Sequence, residues 1–376
     1  MSNVFDNVFV NPRHDARCRL GSRYGRLVTT RTDELHSADG GRVTITDVAR
    51  SVGVSVATVS KVVNGRYGVA PSTIARVQAA IDELGYETSL VARSMRGQST
   101  ANIGVLVSEF ESYSAELLKG ISEAIAGTGY GLLAYAGRRD DVTESGWERR
   151  SLSRLARTLF DGAIVVTPST LITGSFGIPI VAVDPHSGPE GPHTVDSDNR
   201  TGAHLATEHL LALGHRRIGL LGGRDDLESA RMRETGWREA LDAAGIAPDA
   251  ALIRVVGYRA DLAEQAAREL LSMPVGERPT AIFAANDRSA LPVLDVAAEF
   301  GIRVPEDLSV IGYDDIPEAA TASPPLTTIA QPLHEMGSAA LTMVLDLLHG
   351  RETERHLRLP TRLVERSTTG PTSAEA

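Results

Sequence analysis

The twenty residues Ile45-Thr-Asp-Val-Ala-Arg-Ser-Val-Gly-Val-Ser-Val-Ala-Thr-Val-Ser-Lys-Val-Val-Asn64 decide how this chain is read. Ile45, Val48, Ala49 and Val52 recur at i, i+3, i+4 and i+7, which is one face of a helix. Thr44 before them and Asp47 three residues later match a capping box. Gly53 breaks the helix and permits a sharp turn. A second helix starts at Ser55, which can cap it; Val59, Val62 and Val63 face inward and Asn64-Gly65 ends it. Val56, Ala57, Ser60, Lys61 and Asn64 are then presented outward. The pattern fits a helix-turn-helix, whose second helix enters the major groove of DNA. Val56 and Ala57 offer apolar contact of the kind a thymine methyl provides, and Lys61 can donate to guanine or to phosphate. Thr46, Ser55, Thr58 and Ser60 suit phosphate oxygens. A third helix begins near Pro71. Ile74, Val77, Ile81 and Leu84 stripe it, and Gly85 closes it. From spacing alone, a packed three-helix unit without nucleic acid is the competing reading.

Charge around this stretch is uneven. The 376 residues carry a net charge of −10, which argues against a general nucleic-acid binder. Residues 42–100 nevertheless hold seven Lys+Arg against four Asp+Glu, and residues 1–41 hold six against five. The remainder is therefore at −14. A small basic module on an acidic body suits local DNA contact with little stickiness elsewhere. Residues 1–41 have few periodic apolar positions and read as a disordered tail, or as translation from a start codon the cell does not use. The single cysteine, Cys18, excludes an internal disulfide framework and a Cys-rich metal site. With no signal core and no apolar run of membrane length, the expectation is a cytoplasmic protein with no membrane partner.

From Ala101 the rhythm changes to short apolar strands alternating with amphipathic helices. Ile103–Val107, Gly131–Tyr135, Ala163–Thr167, Ile178–Val183, Ile218–Leu221, Ala281–Ala285 and Leu308–Tyr313 read as buried strands. Helices such as Thr201–Leu213, Ser229–Ala244 and Ser289–Phe300 lie between them. Buried strands joined by helices imply an α/β fold with parallel sheets. Pro185–Pro192 looks like a crossing between two lobes, and the region around 323–330, with Ser323-Pro324-Pro325, like a second. In open parallel sheets ligands bind beyond the carboxyl ends of the strands. Phe110, Asp184, Arg233, Asn286 and Asp314 fall at or near such ends. Carboxylates and a guanidinium can each bridge two neighbouring hydroxyls of a sugar, while an aromatic ring covers its apolar face. Several residues here have a plainer reading: Phe110 as core filling, Arg233 as a surface ion pair, Asn286 or Asp287 as a helix cap, and Asp315 as a turn or cap residue.

Val43-Thr-Ile-Thr-Asp-Val-Ala49 and Gly53-Val-Ser-Val-Ala-Thr-Val-Ser-Lys-Val-Val-Asn-Gly65 resemble the DNA-binding signature of the LacI/GalR repressor family. The resemblance continues through Ala92-Arg-Ser-Met-Arg-Gly97, Ser229-Ala-Arg-Met-Arg-Glu-Thr-Gly-Trp237, Ala285-Asn-Asp287, Gly312-Tyr-Asp-Asp315 and Pro325-Leu-Thr-Thr-Ile329. It covers Val43 to about Thr368. It implies a helix-turn-helix headpiece over 42–88 and a hinge helix and linker over 89–100. A two-lobed body over 101–368, resembling periplasmic sugar-binding proteins, would bind effector and dimerise, and 369–376 would be a frayed tail. The hinge helix of the family wedges an apolar side chain into the minor groove, and the matching residues are Ala92 and Met95. Met95 stands where the family has Leu, Thr88-Ser89 replaces its Pro-Asn, and Ala70 replaces a Ser cap; Met95 packing on the body is the alternative to wedging. Arg233 and Asp314 match residues that hold sugar hydroxyls in related repressors. Asn286 matches a further polar contact, and Tyr258 an aromatic wall. The implied partners are a pseudo-palindromic double-stranded operator, a second copy of the chain and a small sugar-like effector, or alternatively a purine or other non-sugar ligand.

Catalytic chemistry is missing from the sequence. Gly127-Thr-Gly-Tyr-Gly131 follows a helix and precedes a strand, the reverse of a dinucleotide fingerprint. His204, His209 and His215, spaced by five and six, do not align on one helical face. The expectation is a regulator with no catalytic residue, no cofactor and no metal site.

Overall fold

The computed structural model describes residues 43–63, 66–86, 99–137 and 146–372. The chain divides into two compact units, one ending at Glu87 and one beginning at Thr88.

The first unit contains α1 (Ile45–Val52), α2 (Val56–Val63) and α3 (Pro71–Leu84). The Thr44/Asp47 capping box is formed, and Gly53 ends α1 in the left-handed region at φ 73°, which favours glycine. Ser55 precedes α2 and does not belong to it: its hydroxyl accepts the Thr58 N–H at 3.1 Å. Val48, Ala49, Val52, Val59, Val77 and Ala80 form the core, with Val62, Val63, Ile81 and Leu84 packed against it. Ile74, expected in the buried stripe, is 42% exposed; it lies one turn before Val77, in the first turns of the helix. Arg76 donates to the Val52 carbonyl at 2.6 Å and so tethers α3 to the end of α1.

The second unit holds two six-stranded sheets. Lobe 1 has β1 (Asn102–Val107), β2 (Gly131–Ala136), β3 (Gly162–Val166), β4 (Ile180–Val183), β5 (His193–Ser197) and β11 (His356–Leu359), in the order β11-β5-β4-β3-β1-β2. Every pairing there is parallel. Lobe 2 has β6 (Ile218–Gly222), β7 (Ile253–Val255), β8 (Ala281–Ala284), β9 (Ser309–Asp314), β10 (Thr327–Ala330) and β12 (Arg362–Val364), in the order β12-β10-β9-β8-β6-β7. Only β12 runs antiparallel. The helices are α4 (Ser112–Ala124), α5 (Trp147–Leu155), α6 (Asn199–Ala212), α7 (Glu228–Ala243), α8 (Ala260–Leu271), α9 (Asp287–Glu299), α10 (Pro317–Thr321) and α11 (Leu333–Leu348). The central strands are buried on both faces, as parallel sheets covered by helices require.

The chain passes between lobes three times, and not where the proline-rich runs suggested. Residues 185–192 join β4 to β5 within one sheet, and Ser323-Pro324-Pro325 joins α10 to β10 within lobe 2. The crossings fall between β5 and α6, between β10 and α11, and between β11 and β12. β5, His-Thr-Val-Asp-Ser, pairs along its whole length but is too polar to announce itself as a buried strand.

Residues 367–372 are not frayed. Val310 N–H donates to the Thr368 carbonyl at 2.8 Å, the buried Thr368 hydroxyl accepts the Thr327 N–H at 2.8 Å, and Thr372 N–H reaches the Leu213 carbonyl at 2.9 Å. Main-chain and hydroxyl bonds hold this segment, so its sequence carries no apolar pattern to read.

Candidate functional site

On the first unit, Thr46, Ser55, Ala57 and Lys61 are exposed, Val56 is 42% exposed, and Thr58 and Ser60 are half-buried. One surface of α2 therefore presents Val56, Ala57 and Lys61 together. Ser55 and Thr58 bond each other through their hydroxyls at 2.9 Å, which fixes the start of α2. Arg66 and Tyr67 follow on the next loop, and Tyr67 is fully exposed. Neither was singled out by sequence, because a lone basic-aromatic pair in a loop has no periodicity. Asn64, Ala92 and Met95 lie outside the described residues.

The second unit carries a cavity of about 120 Å³ at the carboxyl ends of its strands. Asp184, Arg233, Tyr258, Asn286 and Asp314 line it, together with Glu111, Tyr113, Thr167, His186, Ser229, Arg288 and Ile316. Phe110 does not: it is 61% exposed and outside the lining, because the chain turns at Glu111 into α4 and brings Tyr113 inward instead. Thr167, Asp184, Tyr258 and Asp314 all adopt positive φ, at 44°, 46°, 63° and 111°. Four strained residues around one cavity is the clustering expected of a binding site.

Arg233 is the centre of the lobe-2 wall. It projects from α7, 3% exposed, with Nε donating to Asn199 Oδ1 at 2.8 Å and Nη1 to the Ala285 carbonyl. Nη1 also meets Asp314 Oδ1 at 3.3 Å, and the guanidinium stacks 3.7 Å from the Tyr313 ring centre. This is a buried, multiply bonded cation and not a surface ion pair. Burial works against its charge, but Tyr258, Asp314 and Tyr313 hold its pKa well above the ordinary value. Burial pushes Asp314 up to about 6, opposed by Arg233 and by Gln331, whose amide donates at 2.7 Å. Burial likewise raises Asp184, which accepts from Asn199 at 3.3 Å. Glu111 stands at about 7, raised by burial and then by Asp314.

Asn286 both lines the cavity and caps α9, accepting the Ser289 N–H at 3.0 Å. Asp287 is fully buried behind the cavity, accepting from the Ile316 N–H at 2.9 Å and from the Thr328 hydroxyl at 2.5 Å. Burial and Asp314 raise its pKa strongly. Gly312 makes room for it, since a Cβ there would collide with the Asp287 carboxylate. Asp315 turns away and pairs with Arg366 at 2.6 Å.

The lobes touch across the cavity mouth. Arg288 of lobe 2 meets Glu109 of lobe 1 at 2.6 Å, the Ser112 hydroxyl donates to Glu318, and the Glu228 N–H donates to the His186 carbonyl at 2.9 Å. Glu111, Tyr113, Thr167 and His186 had no signal in the sequence beyond their nearness to strand ends. Among the described residues no cluster of metal-binding side chains occurs, and no helix is long and apolar enough to cross a membrane.

A helix-turn-helix followed by a two-lobed body with a polar interlobe cavity is the architecture of a DNA-binding regulator. Residues 44–89 match the family of bacterial regulatory proteins, lacI family, and residues 207–369 match the periplasmic binding protein-like domain. The HTH-type transcriptional repressor PurR of Photobacterium profundum is 35% identical over 323 residues, 84% of this chain and 94% of that protein. The lac repressor dimer bound to operator and the anti-inducer ONPF superposes with a TM-score of 0.73 at 30% identity, over 88% of this chain and all of that one. The cellobiose complex of the transcriptional regulator CelR gives 0.63 at 33% identity, over 87% of this chain and all of that one. The chain belongs to the lacI family and is a DNA-binding transcriptional repressor.

Proposed function

We propose that two copies of this chain bind a pseudo-palindromic operator through α2, and that a purine-class effector in the interlobe cavity sets their affinity for it. The observation that carries the regulatory half is the cavity itself, where buried Arg233 and Asp314 face lobe-1 groups across contacts a ligand can strengthen or break. An effector binding one lobe arrangement better shifts the population toward it, and linkage of this kind is worth about 1–3 kcal/mol. The repressors named PurR favour a purine over the sugar first expected. A flat heterocycle suits a site whose carboxyls can accept ring N–H groups and whose wall includes Tyr258. The cavity's 120 Å³ is below the roughly 300–1,000 Å³ of drug-sized pockets, which suits a small ligand. A sugar is the second reading, favoured by the cellobiose complex of CelR and by the Arg233–Asp314 pair. Thr46, Ser55, Val56, Ala57, Thr58, Ser60, Lys61 and Asn64 are proposed to meet DNA, and Ala92 and Met95 to wedge its minor groove.

Thermal shift with guanine, hypoxanthine and adenine against ribose, glucose and cellobiose tests the effector. A ligand at 100 times its dissociation constant adds about 2.7 kcal/mol. Shifts with sugars alone would overturn the purine reading. Footprinting of DNA beside the protein's own gene, with and without the ligand found, tests the rest; no protected site would overturn operator binding.

A further inference from the structure

His186 lines the cavity from lobe 1, in the loop between β4 and β5. Its main chain is fixed on both sides. The N–H donates to the Pro168 carbonyl at 3.1 Å, and the carbonyl accepts the Glu228 N–H at 2.9 Å from the first turn of α7 across the cleft. The Pro168 loop is itself held by buried Glu148, whose Oε1 accepts the Ser169 N–H at 2.6 Å and the Ser169 hydroxyl at 2.8 Å. These bonds hold the residue at the edge of the cavity that it lines. Its Nδ1 is buried and has no hydrogen-bond partner. Buried polar atoms are almost always paired, and an orphan beside a cavity marks a place that something else fills.

We propose that His186 is a specificity-determining contact, whose Nδ1 hydrogen-bonds the effector's edge on the lobe-1 side while its carbonyl holds the start of α7 across the cleft. This rests on the interlobe cavity being the effector site, as read above. The arrangement selects the chemistry of that edge. Desolvation by burial and then the nearby Arg224 lower the His186 pKa to about 4, so the ring is neutral at physiological pH. A neutral imidazole nitrogen pairs with a ring nitrogen, an N–H or a hydroxyl. It brings no charge of its own, so the part of the effector it meets is a neutral polar edge. Because one residue both meets the ligand and ties the lobes, filling the site also steadies the closed arrangement.

Two variants of the full chain test this, His186→Leu and His186→Gln. Leucine fills similar space without a polar atom. In the ligand-free protein its melting temperature is expected to equal or exceed that of the wild type, because an unpaired buried nitrogen is removed. A fall of about 3 °C or more would overturn the proposal, since the ring would then hold a structural bond. Affinity is then measured for guanine, hypoxanthine and ribose. For whichever probe binds the wild type, His186→Leu is expected to weaken binding roughly 3- to 10-fold while His186→Gln keeps most of it. Equal affinity in the leucine variant would overturn the contact. If no probe binds the wild type, the effector reading fails, and the melting comparison still decides whether Nδ1 is unpaired.

Discussion

Replacing Arg233 with alanine removes a guanidinium that is 3% exposed and bonded on three sides. Asp314 Oδ1 then loses a cation 3.3 Å away, an attraction of about 5 kcal/mol at an effective dielectric of about 20. Asn199 Oδ1 and the Ala285 carbonyl lose their donor as well, at about 1–3 kcal/mol for each buried group left unpaired. The sum overstates the loss, because Asp314 can take up a proton once it stands alone. Truncating one partner of a buried pair costs about 3–5 kcal/mol in practice, and that is the expected destabilisation near pH 8. The proton makes the cost depend on pH. Asp314 stands at about 6 with Arg233 present, against 3.8 for an ordinary aspartate. An acid whose folded pKa is raised adds stability at low pH and loses it as the pH climbs through that value. Without the arginine the folded pKa rises further. Two more pKa units would make the variant's deficit roughly 2 kcal/mol smaller near pH 5.5 than near pH 8, at about 1.36 kcal/mol per unit. Urea unfolding followed by tryptophan fluorescence reads this directly, since buried Trp237 lies on the same helix one turn beyond Arg233. Protein concentration must be held fixed, because the proposed dimerisation would contribute to stability. A loss under about 1 kcal/mol, or one that is the same at both pH values, would refute the argument. Combining Arg233→Ala with Asp314→Asn should recover about 0.5–3 kcal/mol relative to the sum of the single losses.

Lys61→Ala should weaken operator binding and lower the magnitude of its salt slope by about 1, with ligand affinity of the body unchanged; an identical salt slope in anisotropy titrations would remove Lys61 from the phosphate contacts. Gly312→Ala should cost about 1–3 kcal/mol by driving a methyl against the Asp287 carboxylate and Leu326, and a melting curve matching the wild type would contradict that packing. Glu111 stands at about 7 against an ordinary 4.5, so its contribution to stability is present below about pH 4.5 and lost as the pH rises through 7. Glu111→Gln lacks this titration, and its melting temperature relative to wild type should be higher at pH 8 than at pH 5; a difference constant across that range would count against a buried, proton-binding Glu111.

The helix-turn-helix was legible because its signals are local. A capping pair three residues apart, a glycine at a left-handed turn and apolar residues at helical spacing are all read within eight positions. The central strands were legible for the same reason, being short runs of Val, Ile, Leu and Ala buried on both faces. What failed was anything held together by partners far along the chain. β5 is polar and recognisable only by its pairing with β4 and β11. Thr368 is buried through bonds to Val310 and Thr327, each some forty or more residues away, and no periodic pattern encodes that. The cavity divides in the same way. Arg233, Asp184, Asn286 and Asp314 follow strand ends and were found by that rule. Phe110 obeyed the same rule and was misplaced, because the turn at Glu111 decides which of Phe110 and Tyr113 points inward. The proline-rich runs were mistaken for crossings because proline excludes regular structure without saying which sheet the next strand joins.

The crossings give the proposed effector response a route from a small cavity to two whole lobes. Ser197 ends β5 at the first crossing, and Gln331 begins the second. The Ser197 hydroxyl donates to Gln331 Oε1 at 2.5 Å, and the Gln331 amide donates to Asp314 Oδ1 at 2.7 Å. At the third crossing the Thr361 hydroxyl meets the Asp198 carbonyl at 3.3 Å, and the Tyr313 hydroxyl meets the same carbonyl at 3.4 Å. Asp314 and its neighbour Tyr313 are thus bonded directly to the first two connections, and Tyr313 shares the Asp198 carbonyl with the third. A ligand group that takes a place on Asp314 Oδ1 competes with Gln331 and with Arg233 for the same oxygen. In the proposed response, whatever rearrangement satisfies that oxygen also loosens or tightens a connection between the lobes. Coupling of the proposed kind needs no long relay, because Asp314, the proposed ligand contact, and Gln331 of the crossing are already hydrogen-bonded neighbours.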